Sequence, residues 1–189
     1  MPVLQIITVA TRQGRKGPAV TTWFEQIARA HGAFEVEVID LGALALPLFD
    51  EPEHPRLRKY AHEHTRAWSA TVDRADAFVF VAPEYNHHAA PSLINALDYL
   101  VHEWAYKPAG FVSYGGISAG LRAVQSIKPM LSGLKVVPIV EQVAIPMFTS
   151  HIDGEGAFTG NDKLVASART MLDEIARWER ALRVLRPQR

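Results

Sequence analysis

The chain has 189 residues, with 20 lysines and arginines against 20 aspartates and glutamates, so its formal net charge is zero. That balance gives no general attraction to nucleic acid or an anionic membrane, and the absence of cysteine excludes disulfides, thiolate nucleophiles and cysteine-ligated metals. With 48% apolar residues the length suits one core-forming domain over 1–189, and no apolar run is long enough to span a bilayer.

Residues 3–10, VLQIITVA, read as a buried strand. From Pro18 the pattern becomes helical, with Val20, Trp23, Phe24, Ile27 and Ala28 on one face and a stop before Gly32. FEVEVIDL (34–41) alternates as a second strand, and a proline-rich crossing follows. Leu57, Tyr60, Ala61, His64, Trp68 and Val72 predict a long amphipathic helix. AFVFVA (77–82) is apolar throughout, as a central parallel strand is. Pro91 opens a helix with Leu93, Ile94, Leu97, Leu100 and Val101 inward. AGFVSY (109–114) is the fourth strand, and the helix over 121–134 is expected to falter after Lys128, where Pro129 removes a donor. Pro138 assigns KVVPIVEQVAI to an edge strand. The last helix runs from 162 to about 185, burying Leu164, Ala168, Met171, Leu172, Ile175, Leu182 and Leu185.

Strands alternating with helices predict an α/β doubly wound, three-layer fold with right-handed crossovers. The dinucleotide-binding strand order and the flavodoxin-like order 2-1-3-4-5 compete. The second leaves the Pro138 strand at an edge and puts the switch point between strands one and three, where ligands bind beyond the carboxyl ends of the strands.

Three loops fall there. TVATRQGRKGPAV (8–20) holds three cations, no acid and two glycines. Thr11, Arg12, Arg15 and Lys16 offer donors, and the helix beginning at Gly17-Pro18 has no Ser, Thr, Asp or Asn beside it to cap it. Its free amides suit an anion, and phosphate is the expectation. PEYNHHAAPSLINALDYL (83–100) sets Glu84, Tyr85, Asn86 and His87 at the switch point, against which a planar ligand would lie. SYGGISAG (113–120) lacks the lysine of a nucleotide-binding P-loop and better serves close approach of a flat ring. The histidine pairs 62/64 and 87/88 lack a third ligand, so no metal site is expected.

Together these stretches resemble the NADPH-dependent FMN reductases, which have a flavodoxin-like fold. The family's Gly-Ser-Thr-Arg-Pro-Gly-Arg loop corresponds to VATRQGR, its middle motif to PEYN and NALD, and its third to SYGG and GLRA. Val9 and Ala10 replace the usual Gly-Ser, removing one phosphate hydroxyl. Ile94 stands where lysine is common and Ala119 where glycine is.

The resemblance implies FMN as cofactor and NADPH or NADH as hydride donor. Thr11, Arg12, Arg15 and the backbone of Lys16, Gly17, Pro18 and Val20 would hold the phosphate. Pro83, Glu84, Tyr85, Asn86 and His87 would lie along the ring, and Ser113, Tyr114, Gly115 and Gly116 would close its other side, with no protein acid or base assigned. The electron acceptor would be a quinone, flavin, azo dye, nitro compound or metal oxyanion. The resemblance also implies a homodimer or homotetramer, with Tyr99, Trp104 and Tyr106 as candidates for that surface or for covering the ring; ordinary core packing is the alternative for each and is favoured for Tyr99. Trp178 is expected in the core or the interface. The start MPVLQIITVATR lacks a signal leader, which makes a cytoplasmic protein the expectation. A flavodoxin-like electron carrier or flavin-free binding module is the alternative; carriers of that kind are typically acidic, and this chain is neutral. Residues 149–162 are read as a flap over the site.

Overall fold

The structure is a computed structural model that describes residues 1–186. Its elements run β1 (Val3–Thr8), α1 (Gly17–His31), β2 (Glu35–Asp40), a single turn α2 (Leu41–Leu44), α3 (Glu63–Arg74), β3 (Ala77–Pro83), α4 (Pro91–Asp98), β4 (Pro108–Tyr114), α5 (Leu121–Gly133), β5 (Val137–Pro138), β6 (Val143–Ile145) and α6 (Asp162–Leu182). The strands order β2-β1-β3-β4-β5, all parallel, with β6 also on β4.

Strand alternation sorts the core into two layers. Phe78, Phe80 and Phe111 face α3, α4 and α5, where Trp68, Leu97 and Ile127 meet them. Val79, Val81, Val112 and Tyr114 face α1 and α6, against Val20, Phe24, Met171 and Ile175. β3 and β4 are buried along their whole length, which explains their unbroken apolar runs.

The fifth strand is split. Val137 donates to Lys107 O and Ile139 to Ala109 O, so the ladder bonds flank Pro138 and its missing N–H faces away from β4. The chain then leaves the edge and returns as β6, a sixth strand pairing Val143–Ile145 with Val112–Tyr114.

The third helix begins at Glu63 rather than near Leu57. Pro55–Leu57 is a separate 3-10 turn, Leu57 is exposed, and Arg58 has φ 50°. Buried Glu51 accepts hydrogen bonds from the amides of Ala61 and His62, which fixes those residues outside the helix. In α5 the helix continues through Pro129 to Gly133. Pro129 and Gln125 lie on the exposed face, so the carbonyl freed by the proline faces water while Ile127 and Leu131 keep the helix on the sheet. α6 ends at Leu182; Leu185 lies in a following 3-10 turn and is exposed, as is Trp178. Tyr99 and Trp104 are fully buried, and Trp104 packs edge-on to Trp68, so neither forms an outer surface.

α6 lies on β4 at Gly110, where a Cβ would sit 2.8 Å from Met171 Sδ and 3.0 Å from Ile175 Cδ1. Gly110→Val should therefore destabilise the protein by about 1–3 kcal/mol through overpacking, read as a lower urea midpoint.

Candidate functional site

The carboxyl ends of β1, β3 and β4 meet at a cleft of about 240 Å³ lined by Ala10, Arg12, Gly14, Arg15, Lys16, Pro83, Glu84, Tyr85, Tyr114, Gly115, Gly116 and Phe148. It lies at the switch point, since β1 pairs with β2 on one side and β3 on the other.

The basic loop is pinned from below. Val9 N donates to Val81 O at 3.1 Å, Ser92 Oγ donates to Val9 O at 2.7 Å, and the buried hydroxyls of Thr8 and Thr21 bond at 2.6 Å, tying β1 to α1. Arg15 straps the loop sideways, donating to both carboxylate oxygens of Asp40 at 2.6 and 2.7 Å and to Ala10 O at 2.9 Å. Gly42 makes room for this strap, since a Cβ there would sit 2.8 Å from Arg15 Cζ. Burial pushes the Asp40 carboxyl up, but the bonds from Arg15 and the Gly42 amide outweigh it and leave it below its ordinary value. The guanidinium of Arg15 is thereby neutralised within the protein, whereas neither Arg12 nor Lys16 has an ion-pair partner among the described residues.

α1 starts with no side-chain cap and no acid in its first turn. Its first internal bond is Val20 N to Lys16 O, so the preceding amides are left open toward the loop. Val20 itself turns into the core, and Pro18 has no N–H to offer.

PEYN forms a two-residue hairpin. Tyr85 and His88 exchange backbone hydrogen bonds at 3.1 and 3.0 Å, and Asn86 and His87 sit at φ 49° and 65°, as a type I′ turn requires. The Asn86 and His87 side chains are exposed and lie outside the cleft lining. Glu84 turns sideways: it accepts from Arg122 Nε at 2.6 Å, Ser118 Oγ at 3.0 Å and Arg122 N at 3.2 Å, tying PEYN to the glycine loop. Burial raises its pKa and these bonds lower it, with a net shift downward.

On the third side Gly116 has no atom within 4 Å of where a Cβ would stand, whereas Ser113 is fully buried. Tyr114 is 4% exposed, packs its ring on Phe148 at 5.1 Å, and brings its hydroxyl to the first residue of α1, 2.9 Å from where a Cβ on Gly17 would lie. Burial holds this phenol well above its ordinary pKa, with Tyr85 adding and Arg15 and Arg12 opposing, so it keeps its proton.

The cleft therefore gathers nine of the residues singled out by sequence: Arg12, Arg15, Lys16, Pro83, Glu84, Tyr85, Tyr114, Gly115 and Gly116. Thr11, Gly17, Pro18, Val20, Asn86, His87 and Ser113 stand beside it rather than in its lining. Phe148 had no motif to mark it; its signal is only an aromatic residue just before a polar glycine-containing stretch. That stretch is anchored, with Phe158 5.1 Å from Trp23 and Ile152 paired to Phe158. It reaches the cleft edge, where a Cβ on Gly156 would stand 3.9 Å from Lys16 Nζ.

Residues 2–150 match the family described as NADPH-dependent FMN reductase. The chain belongs to that family. Membership makes it an oxidoreductase, with FMN and NAD(P)H as the implied cofactors. Among relatives, the NAD(P)H-dependent FMN reductase of Schizosaccharomyces pombe is 38% identical over 149 residues, covering 77% of this chain and 74% of that protein. The 2-hydroxy-1,4-benzoquinone reductase of a Burkholderia species is 27% identical over 158 residues, covering 80% and 82%. Among solved structures, the flavoenzyme NAD(P)H:(acceptor) oxidoreductase of Paracoccus denitrificans matches with a TM-score of 0.77 at 18% identity, over 96% of this chain and 98% of that one. That likeness shows the flavodoxin-like fold. No helix among the described residues is long and apolar enough to cross a membrane.

Asp40, Glu51 and Glu84 all have pKa values lowered by folding. Their stabilising contribution is complete above the unfolded carboxylate range, near pH 4, and is lost as pH falls through the lower folded values. Unfolding midpoints should be nearly flat from about pH 6 to 8 and fall below about pH 4.5. Glu84→Gln should make that acid-side fall shallower, as measured by urea titration at each pH.

Proposed function

We propose that the cleft holds FMN by its phosphate and that the protein uses NAD(P)H to reduce small aromatic acceptors, quinones first among them. The observation that supports this most is the open first turn of α1, facing two unpaired cations, Arg12 and Lys16, at the β1/β3 switch point. The residues fit the group. An acid-free loop and free amides suit a dianion, and the open backbone at Gly116 admits a flat ring.

When bound, FMN supplies the redox chemistry, accepting a hydride and passing electrons onward. The chain's own groups bind and orient. Arg12, Lys16 and the α1 amides neutralise the phosphate, with Thr11 at the loop's outer edge. Arg15 acts on the loop's shape, through Asp40, rather than on the anion. Pro83, Tyr85 and the Asn86–His87 turn present backbone along one side of the ring, and Gly115 and Gly116 line the other. Glu84 holds those two loops at a fixed spacing through Arg122. Phe148 and Tyr85 shield the cleft from water.

The acceptor class draws support from the rim. Ile117 is 90% exposed and Met147 58%, and Met147 N donates to Gly116 O, so apolar side chains stand beside the open glycine. Such a rim favours a neutral aromatic over a metal oxyanion. The relative named for a benzoquinone substrate points the same way. The same exposed rim supports assembly into a homodimer or homotetramer, which analytical ultracentrifugation tests directly.

Two outcomes check the reading. Arg12→Ala should weaken FMN binding at least about tenfold, the scale of one charge-assisted hydrogen bond, with little change in unfolding midpoint. Steady-state NADPH oxidation by the FMN-loaded protein should proceed with benzoquinone, and Ile117→Asp should raise the quinone KM severalfold while leaving FMN affinity unchanged. Unchanged FMN affinity in Arg12→Ala would contradict the phosphate assignment.

A further inference from the structure

Ala10 leaves the basic loop without the hydroxyl that a serine would contribute there, and the structure brings another hydroxyl to the same place from a different strand. A Cβ built on Gly17 would lie 2.9 Å from Tyr114 Oη and 3.1 Å from Ala10 Cβ. The phenol oxygen and the Ala10 methyl therefore flank one point at the first residue of α1. Tyr114 reaches it from the end of β4, across β3, on the face covered by α1 and α6.

The side chain is 96% removed from solvent, yet its hydroxyl makes no hydrogen bond to any described residue, and it opens into the cleft. Its oxygen keeps contact with the open cleft, so the hydroxyl is free to donate to a ligand there. The surroundings favour an anion as that acceptor, since α1 starts beside it without a cap and Arg12 and Lys16 line the same cleft. The ring cannot swing away easily, because Phe148 packs on it and β6 pairs with its backbone.

We propose that the Tyr114 hydroxyl donates a hydrogen bond to the phosphate of bound FMN, taking over on β4 the role a serine would play at position 10. This rests on the FMN reading above. It assigns Tyr114 to the phosphate end of the ligand, separate from the ring-facing backbone of Gly115 and Gly116. It also explains why position 17 needs glycine although its backbone is ordinary helix: any side chain there would displace the phenol oxygen.

The test compares equilibrium binding of FMN and riboflavin, followed by quenching of flavin fluorescence, in the wild type, Tyr114→Phe, and Tyr114→Phe combined with Ala10→Ser. Tyr114→Phe keeps the ring on Phe148, and thermal unfolding checks that it stays folded. The expected result is FMN affinity weakened at least about tenfold with riboflavin affinity unchanged, and recovery of much of the FMN loss on adding Ala10→Ser. Equal FMN affinity in Tyr114→Phe would overturn the proposal, as would equal losses for FMN and riboflavin, which would place the hydroxyl at the ring. Wild-type protein that binds neither flavin would overturn the FMN reading itself, a result distinct from either of those.

Discussion

The open first turn of α1 is the constraint on which the rest of the site depends. A helix that starts without a cap leaves its amides in need of an acceptor, and the sequence around Gly17 offers no carboxylate or hydroxyl to provide one locally. The fold keeps this arrangement in place from several directions. Thr8 and Thr21 tie β1 to α1, Ser92 holds the carbonyl of Val9, and Arg15 binds the loop to the end of β2. With the loop fixed, the amides point at one volume. That volume lies where parallel order makes β1 and β3 diverge into connections on opposite faces of the sheet.

Charge is divided with similar economy. Arg12 and Arg15 look equivalent in sequence, three residues apart in the same loop. In the structure they have separate tasks, because Asp40 lies within reach of only one. The acids near the cleft are likewise occupied: Asp40 by Arg15 and Glu84 by Arg122 and Ser118. Removing both carboxylates from the cleft's electrostatic balance leaves it positive although the whole chain is neutral. Pairing therefore leaves a locally positive cleft in a chain of zero net charge.

Much of this was legible in the sequence, for physical reasons. Fully buried parallel strands need continuous apolar runs, which is why AFVFVA and AGFVSY were clear. Pro138 identified an edge because only an edge tolerates the missing donor. Motif glycines and cations located the three loops, since their positions follow directly from strand ends. What escaped depended on contacts distant in sequence. The start of α3 is set by Glu51 drawing in the amides of Ala61 and His62, and the helix through Pro129 by which face the proline occupies. The pairing of Arg15 with Asp40, 25 residues away, has no local signal. Phe148 and the reach of the Tyr114 hydroxyl to Gly17 are consequences of packing β6 and the 3-10 turn after it against β4. Trp104, a candidate for a subunit surface or the ring with core packing as the alternative, is part of the core beside Trp68 and Phe78.

The central claim is that this cleft retains FMN and presents it to a nicotinamide. Its most direct test is the visible absorption spectrum of protein loaded with FMN, freed of excess ligand by desalting, and then titrated with NADPH under anaerobic conditions. The account predicts a flavin spectrum that survives desalting and bleaches on titration. Loss of the flavin on desalting, or a retained flavin bleached by neither NADPH nor NADH, would contradict it.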